Sequence, residues 1–241
     1  MTTISSHSTT TEAMFSKIAA RYDRCNHLFS LGIDHYWRKR LVRLLSPKTD
    51  DTALDLCCGT GDMAFAFAKH GPARQIVGVD CSETMIQLAQ EKFMRMAPRR
   101  WMADKDVRFS VEDATSLSLK DGAFDLISCV FGLRNIPDRT AALRQIYRVL
   151  KPGGRAGVCE FSLPKHPAVR AAYWFYLSRV MPLAGRVVVG DAEPLHYLAR
   201  SIRHWHDSVR LDDELRQVGF QNIRTTTLTG GIVTITVAQK P

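Results

Sequence analysis

A chain of 241 residues with 45% hydrophobic side chains is long enough for one large α/β domain or two small ones, which excludes disorder as its general state. The formal charge of +9 at pH 7 suits nucleic acid, an anionic membrane face or an acidic ligand, but the basic residues are scattered and lack the aromatic and glycine pattern of an RNA-binding sheet, so no nucleic-acid partner is expected. The cysteines (Cys25, Cys57, Cys58, Cys81, Cys129, Cys159) form no CxxC pair and no histidines stand at metal-ligand spacing, so neither a metal site nor a disulfide framework is expected.

In chain order, residues 1–10, MTTISSHSTT, are polar, have no apolar period and read as a disordered tail. They lack the basic start and apolar centre of a secretory signal, and no run approaches the roughly 18 apolar residues of a membrane helix. The expectation is a soluble, cytoplasmic protein. Residues 11–45 hold two helical patterns around RYDRCNHLFSLGIDHYW and form an expected helical lid, and residues 46–241 form the main domain. From residue 52, short apolar runs alternate with amphipathic stretches: TALDLCC then 62–70, QIVGVD then 82–95, VRFSVED, FDLISCVFG then 138–150, and RAGVCEFS. That alternation predicts an α/β fold with a mostly parallel sheet and helices on both faces. Pro137 and the KPGG at 151–154 punctuate it at a helix start and after a helix end. An insertion at about 163–206 precedes the last helix, and FQNIRTTTLTGGIVTITVAQK predicts an antiparallel C-terminal hairpin joined around Gly230 and Gly231. Ligands of open α/β sheets sit outside the carboxyl ends of the strands, so the lid and the insertion, both rich in aromatic and basic residues, are natural covers for that site.

LDLCCGTGDMA is a strand running into a glycine turn and a helix, in which Gly59 and Gly61 let a ligand approach the backbone closely. It is formally GxGxxA, near the dinucleotide fingerprint, and Asp80 follows about 20 residues on, where a carboxylate holds ribose hydroxyls. A dinucleotide sets its pyrophosphate on the helix N-terminus, whereas Asp62 occupies the first turn here and Asp55 lies just upstream, crowding the place a dianion needs. A ligand with a ribose, an adenine and a positive charge suits those carboxylates, and S-adenosylmethionine fits. Asp113, with Ala114, stands at the end of the third strand to meet the adenine edge. The structural alternatives stay open: Asp62 as a first-turn acid, Asp113 as a turn residue, Asp80 as plain structure.

Five blocks, RYDRCNHLFSLGIDHYWRK at 21–39, LDLCCGTGD at 54–62, FGLRNIPDRTAALRQIYRVLKPGGR at 131–155, YLARSI at 197–202 and LTGGIV at 228–233, resemble the ubiquinone/menaquinone biosynthesis C-methyltransferase family of the class I methyltransferases, over nearly the whole chain. The resemblance implies a Rossmann-like fold with a seven-stranded sheet. It implies that Thr60, Asp80, Asp113 and Ala114 bind S-adenosylmethionine, to which the loop reading adds Asp55, Gly59 and Gly61, and that Arg134 and Asn135 face the substrate. The implied reaction moves a methyl group from the sulfonium to a ring carbon of a polyprenyl quinol. The form SLGIDHYWRK looks like members dedicated to menaquinone, so the expected substrate is demethylmenaquinol in the last step of menaquinone biosynthesis; the alternative is bifunctional or ubiquinone-pathway methylation of a methoxybenzoquinol. Three positions depart from the family pattern: Val130 stands where many members have serine, Asp34-His35 where many have His-Arg, and HWHDS near 204–208 keeps only Asp207, expected as a helix cap.

A ring carbon becomes an adequate nucleophile when a ring hydroxyl ionises, and a guanidinium that cannot lose its proton suits the resulting oxyanion. That is the role expected of Arg134, with Asn135 orienting a hydroxyl or a water. The alternatives are an Arg134–Asp138 pair and Asn135 as cap of a helix from Ile136. Candidates for the base are Asp23, His35 and a water held by Asn135, with Tyr22 and Asn26 on the same segment; Tyr22 and Trp37 as core aromatics and His35 as a surface residue are the plain readings. Tyr173, Trp174, Phe175 and Tyr176 with Arg170, Arg179 and Arg186 make a stripe that rests at a lipid interface or packs as a helix. A greasy substrate implies transient contact with a membrane, on its inner face. A homodimer is a plausible assembly, though no feature of the sequence supports it.

Overall fold

The computed structural model describes residue 30, residues 32–188 and residues 192–241. Five strands, β1 (Thr52–Leu56), β2 (Gln75–Asp80), β3 (Asp106–Val111), β4 (Phe124–Val130) and β5 (Leu150–Phe161), run parallel, and β6 (Gln221–Leu228) and β7 (Val233–Gln239) form the antiparallel hairpin. They make one sheet in the order β3–β2–β1–β4–β5–β7–β6, with β7 antiparallel to β5, so the last strand slots between β5 and β6. The hairpin turns at Gly230 and Gly231, both at positive φ (65° and 97°), as the sequence predicted. Strand order reverses between β1 and β4, which opens a crevice at their carboxyl ends.

Helices cover both faces: α1 (Asp34–Leu45), α2 (Asp62–His70), α3 (Glu83–Met96), α4 (Arg139–Val149), α5 (Pro167–Phe175), α6 (Met181–Val188), α7 (Glu193–Ser208) and α8 (Leu211–Val218). Successive strand residues point to opposite faces, so Leu54 and Ile127 enter a core with Leu143, Ile146 and Phe220, while Ala53 and Leu126 enter one with Leu41, Phe67 and Ile235. Side-chain caps set two starts. Ser82 Oγ accepts the Met85 N–H ahead of α3, and the Asp138 carboxylate accepts the Ala141 N–H at 2.8 Å ahead of α4. The second corrects a reading of Asn135, which lies in a 3-10 turn, Leu133–Asn135, and caps no helix at Ile136. Asp207 is no cap either: it lies in the last turn of α7, 3.8 Å from Arg203.

The described part of the expected lid is core. Trp37, Leu41 and Leu45 of α1 are 3%, 0% and 0% exposed. Burying a large apolar side chain is worth ~1.5–3 kcal/mol, so lifting α1 would cost a large share of a domain's usual 5–15 kcal/mol. The insertion builds a third, smaller core, in which Leu163, Leu177 and Met181 meet Leu195, Ala199 and Ile202 of α7. Within it α5 passes through a π-helical turn, Tyr176–Val180, into α6.

Candidate active site

The glycine turn after β1 is tied down from below. Asp55, 1% exposed, accepts Ser128 Oγ of β4 at 2.9 Å and the Ala64 N–H of α2 at 3.1 Å. It therefore shapes the turn from beneath. Burial pushes its carboxyl up to about 7, offset in part by the Ser128 bond and the charge of Arg38. A carboxyl raised in the folded state keeps a proton that the unfolded chain has lost, so its contribution is full below about pH 4 and is lost as pH rises through about 7. The shift from 3.8 to about 7 corresponds to up to ~4 kcal/mol. Urea unfolding between these pH values is expected to show that decline, and Asp55→Asn to flatten it; identical profiles for parent and variant would refute the assignment.

The two glycines of the turn do different jobs. A Cβ on Gly59 (φ 53°) would meet nothing within 4 Å, whereas one on Gly61 (φ 85°) would lie 2.9 Å from the Phe109 ring and 3.0 Å from Phe65. Gly59 thus has open space on its Cβ side, and Gly61 is required by the aromatic packing beside it. The Gly59 N–H donates to Asp80 Oδ2 at 2.9 Å and the Ser82 N–H to Oδ1 at 3.0 Å, so the carboxylate at the end of β2 braces the turn as well as facing the crevice edge. Thr60 is 5% exposed between them. Asp113 stands at the end of neighbouring β3, its Oδ1 accepting the Thr115 N–H and hydroxyl, each at 2.8 Å, with Ala114 buried next to it. That is the Asx turn of the plain reading. Its Oδ2 makes no hydrogen bond among the described residues.

Asp62 is not the bare charge the sequence suggested. It pairs with Lys92 and lies 3.5 Å from Arg38 Nη2, while Arg38 pairs with Asp34, so two acids and two bases form a chain from α1 through α2 to α3. The charge argument against a pyrophosphate loses its force with that neutralisation. Arg38 is 7% exposed, its Nε makes no hydrogen bond among the described residues, and its guanidinium lies 6.0 Å from the centre of the Phe131 ring.

Past β4 the chain turns at Phe131, a non-glycine residue at φ 58°. Its carbonyl accepts Arg134 Nη1 and, at 3.3 Å, Asn135 Nδ2, which hold the strained turn in place. Phe131 stacks on Phe161 at 4.3 Å, and Trp37 sits edge-on to both. Arg134, with a side chain 6% exposed, binds Glu160 twice: its N–H donates to Oε1 at 3.1 Å and Nη1 to Oε2 at 3.0 Å. Its Nε donates to Ser201 Oγ at 3.3 Å, its guanidinium lies 5.5 Å from the Phe161 ring centre, and Nη2 makes no hydrogen bond among the described residues. Burial raises the Glu160 carboxyl, which Arg134 counters. The alternative Arg134–Asp138 pair does not form among the described residues; Glu160 is the partner. The Tyr197 hydroxyl donates to Asn135 Oδ1 at 3.0 Å, and burial raises the Tyr173 phenol, with Arg134 close enough to oppose the shift. Gly132 closes this turn onto the glycine turn, since a Cβ there would fall 2.4 Å from Cys57 Cβ.

A sequence profile of the ubiE/COQ5 methyltransferase family matches residues 2–240. The chain belongs to that family. Its relatives in the family include demethylmenaquinone methyltransferases of Lactobacillus johnsonii (36% identical, 94% of this chain and 91% of that one), Lactiplantibacillus plantarum (38%, 88% and 88%) and Clavibacter sepedonicus (38%, 95% and 89%). Two solved structures share the fold: a SAM-dependent methyltransferase of Thermotoga maritima (TM-score 0.63, 18% identity, 95% of this chain and 99% of that one) and phosphoethanolamine N-methyltransferase 2 of Haemonchus contortus, in complex with S-adenosyl-L-methionine (0.61, 17%, 85% and 52%). With them the expected Rossmann-like, seven-stranded class I fold holds.

Of the anticipated site residues, the family's fold gathers Thr60, Asp80, Asp113 and Ala114 along the ends of β1 to β3, and Arg134 and Asn135 past β4. Tyr22 and Asp23, with Asn26, lie outside the described residues. His35 is exposed and Trp37 is core, as in their plain readings. Glu160, Arg38, Tyr197 and Ser201 join the site's contacts beyond the residues expected from the sequence. Each left a trace: an acid inside the apolar strand RAGVCEFS, an acid and a base four apart in DHYWR, and two hydroxyls four apart in YLARS.

Proposed function

We propose that this methyltransferase transfers a methyl group from S-adenosylmethionine to a ring carbon of a polyprenyl quinol, with demethylmenaquinol as the substrate and menaquinol as the product. The observation that carries the reading is Arg134: a buried guanidinium with a spare donor, held in an aromatic wall at the carboxyl edge of the sheet. The demethylmenaquinone methyltransferases among its relatives favour the naphthalenoid ring.

The crevice suits the donor. Gly59 is open on its Cβ side, Asp80 and Asp113 present carboxylates from adjacent strand ends, and Ala114 and Thr60 complete the floor. Asp80 is the proposed ribose partner and Asp113 Oδ2 the proposed acceptor for the adenine amino group, with Asp55 and Gly61 holding the turn in shape. Bound S-adenosylmethionine supplies an electrophilic methyl group on a sulfonium. Asp113→Ala is expected to weaken donor binding about tenfold, the value of a hydrogen bond of ~1.4 kcal/mol, with little change in melting temperature. Isothermal titration checks it, and unchanged affinity would remove Asp113 from the site.

A phenol titrates near ~10, so ionising a quinol hydroxyl at neutral pH costs on the order of 4 kcal/mol. Arg134 offers that oxyanion a fixed donor. Its pairing with Glu160 reduces the net field but holds the guanidinium in place before substrate arrives, so little reorganisation remains to be done during reaction. Asn135, oriented at both ends of its amide by Tyr197 and Phe131, has a second Nδ2 hydrogen for the substrate or a water. Tyr22 and Asp23 are the proposed complement from the N-terminal segment. The methyl carbon leaves the sulfonium sulfur, which keeps the bonding pair as a neutral thioether, and bonds the ring carbon; that carbon then gives up its proton to a base or to the water held by Asn135, and the aromatic quinol is restored.

The test is methyl transfer to short-tail demethylnaphthoquinol and to the corresponding methoxybenzoquinol, side by side under reducing conditions. Product from the naphthoquinol alone is expected. Product from both would make the enzyme bifunctional, and product from neither would overturn the quinol reading.

A further inference from the structure

The helical run of α5, the π turn and α6 has two unlike sides. Its inner side is committed: Leu177 and Met181 enter the small core, Trp174 lies beneath Arg203 with 4.8 Å from guanidinium to ring centre, and Tyr173 feels the charge of Arg134. Its outer side carries four of the exposed large apolar side chains among the described residues, Val169 at 45%, Phe175 at 62%, Val180 at 42% and Leu183 at 66%. Ala172, Phe175, Arg179, Leu183 and Arg186 recur at spacings of three and four, which places them along one stripe.

The charge on this stretch is one-sided. None of the 24 acidic residues falls within 161–190, which holds Lys165, Arg170, Arg179 and Arg186. Arg170 is turned back onto the carbonyl of Pro164 at 2.7 Å, but Arg179 and Arg186 are exposed and make no ion pair among the described residues. Among the described residues no helix is long and apolar enough to cross a membrane. Exposed apolar tips interleaved with exposed arginines, on a helix lying flat against its own protein, match a surface of acyl chains beneath anionic headgroups.

We infer that the outer face of α5 and α6, centred on Phe175, Arg179, Leu183 and Arg186, docks on an anionic lipid bilayer. This inference rests on the quinol reading for its purpose, because one helical run then joins the bilayer to Arg134 through the thickness of a single helix. A substrate tail anchored in lipid can stay there while the ring reaches the crevice.

The experiment is sedimentation of the full chain with phosphatidylglycerol–phosphatidylcholine vesicles and with phosphatidylcholine alone. Binding to the anionic vesicles is expected, with little to the neutral ones. Arg179→Glu with Arg186→Glu should lower it at least about 25-fold, at ~1 kcal/mol for each basic residue near the surface. Phe175→Ser with Leu183→Ser should lower it as well, while Arg95→Glu with Arg99→Glu, the same charge change on another face, should not. Turnover of a water-soluble short-tail quinol should be unchanged in all three, which shows that they fold and keeps this test apart from that of the reaction. Equal binding by parent and face variants, no binding by the parent, or a change of oligomeric state in the face variants with vesicle binding intact would each overturn the proposal. Absence of any quinol turnover alongside face-dependent vesicle binding would overturn the reaction and leave the docking face standing.

Discussion

Arg134→Met is expected to lower turnover by about a hundred- to a thousandfold while leaving donor binding unchanged, since it removes the proposed oxyanion donor and touches none of the residues around the glycine turn. It is also expected to destabilise the fold by ~3–5 kcal/mol, because Glu160, 1% exposed, loses the partner of its charge. The two effects separate in a double variant. Arg134→Met with Glu160→Gln removes both charges from the buried site, so most of the stability should return and none of the activity. Urea unfolding and single-turnover methyl transfer on the three proteins read both quantities. Turnover within about threefold of the parent in a folded Arg134→Met, or activity regained in the double variant, would assign Arg134 a structural role only.

Gly132→Ala is the second change with a large effect, and its cause is steric. Gly132 has φ −102°, which any residue adopts, yet its missing Cβ would stand 2.4 Å from Cys57 Cβ. Two backbones are pressed together there, the turn after β1 and the turn after β4. Both are packed beneath or beside fixed groups, so overpacking should cost ~3 kcal/mol, at the upper end of the usual range, and displace Arg134 relative to Gly59. Cys57→Gly is the matched rescue: Cys57 sits at φ 56°, where glycine is unstrained, and losing its Cβ makes the room that the added methyl group needs. The pair should recover most of the melting temperature lost by Gly132→Ala alone. An independent, additive loss from the two substitutions would show that the turns do not meet as described.

What the sequence showed and what it hid divide along physical lines. Strands β1, β2, β4 and the end of β5 were legible because buried parallel strands read as apolar runs, edge strand β3 because Val107, Phe109 and Val111 alternate with polar residues, and the hairpin because two glycines interrupt a threonine-rich alternation. The places of Asp80 and Asp113 at the ends of β2 and β3 were legible because each follows a strand-like run. Partners were not legible. Asp62 looked like a free charge because Lys92 lies 30 residues away and Arg38 on a different helix, and nothing in the spacing says that they converge. Arg134 invited pairing with nearby Asp138, yet parallel pairing of β4 with β5 sets Val130 opposite Cys159 and so brings Glu160 to the same turn. The packing of Phe109 against Gly61 was not legible, because the pattern does not say which side chain of β3 meets the turn. Residues 11–45 read as a cover, and only packing shows that Asp34–Leu45 belongs to the core.

The most direct measurement is the position of the transferred group. The parent enzyme, given S-adenosylmethionine with a carbon-13 methyl and reduced short-tail demethylnaphthoquinol, should yield a product whose labelled carbon resonates as a methyl on an aromatic ring, with both hydroxyls intact. Label found on a ring oxygen would contradict the quinolate mechanism, because stabilising the oxyanion at Arg134 would then not have directed the methyl group to carbon.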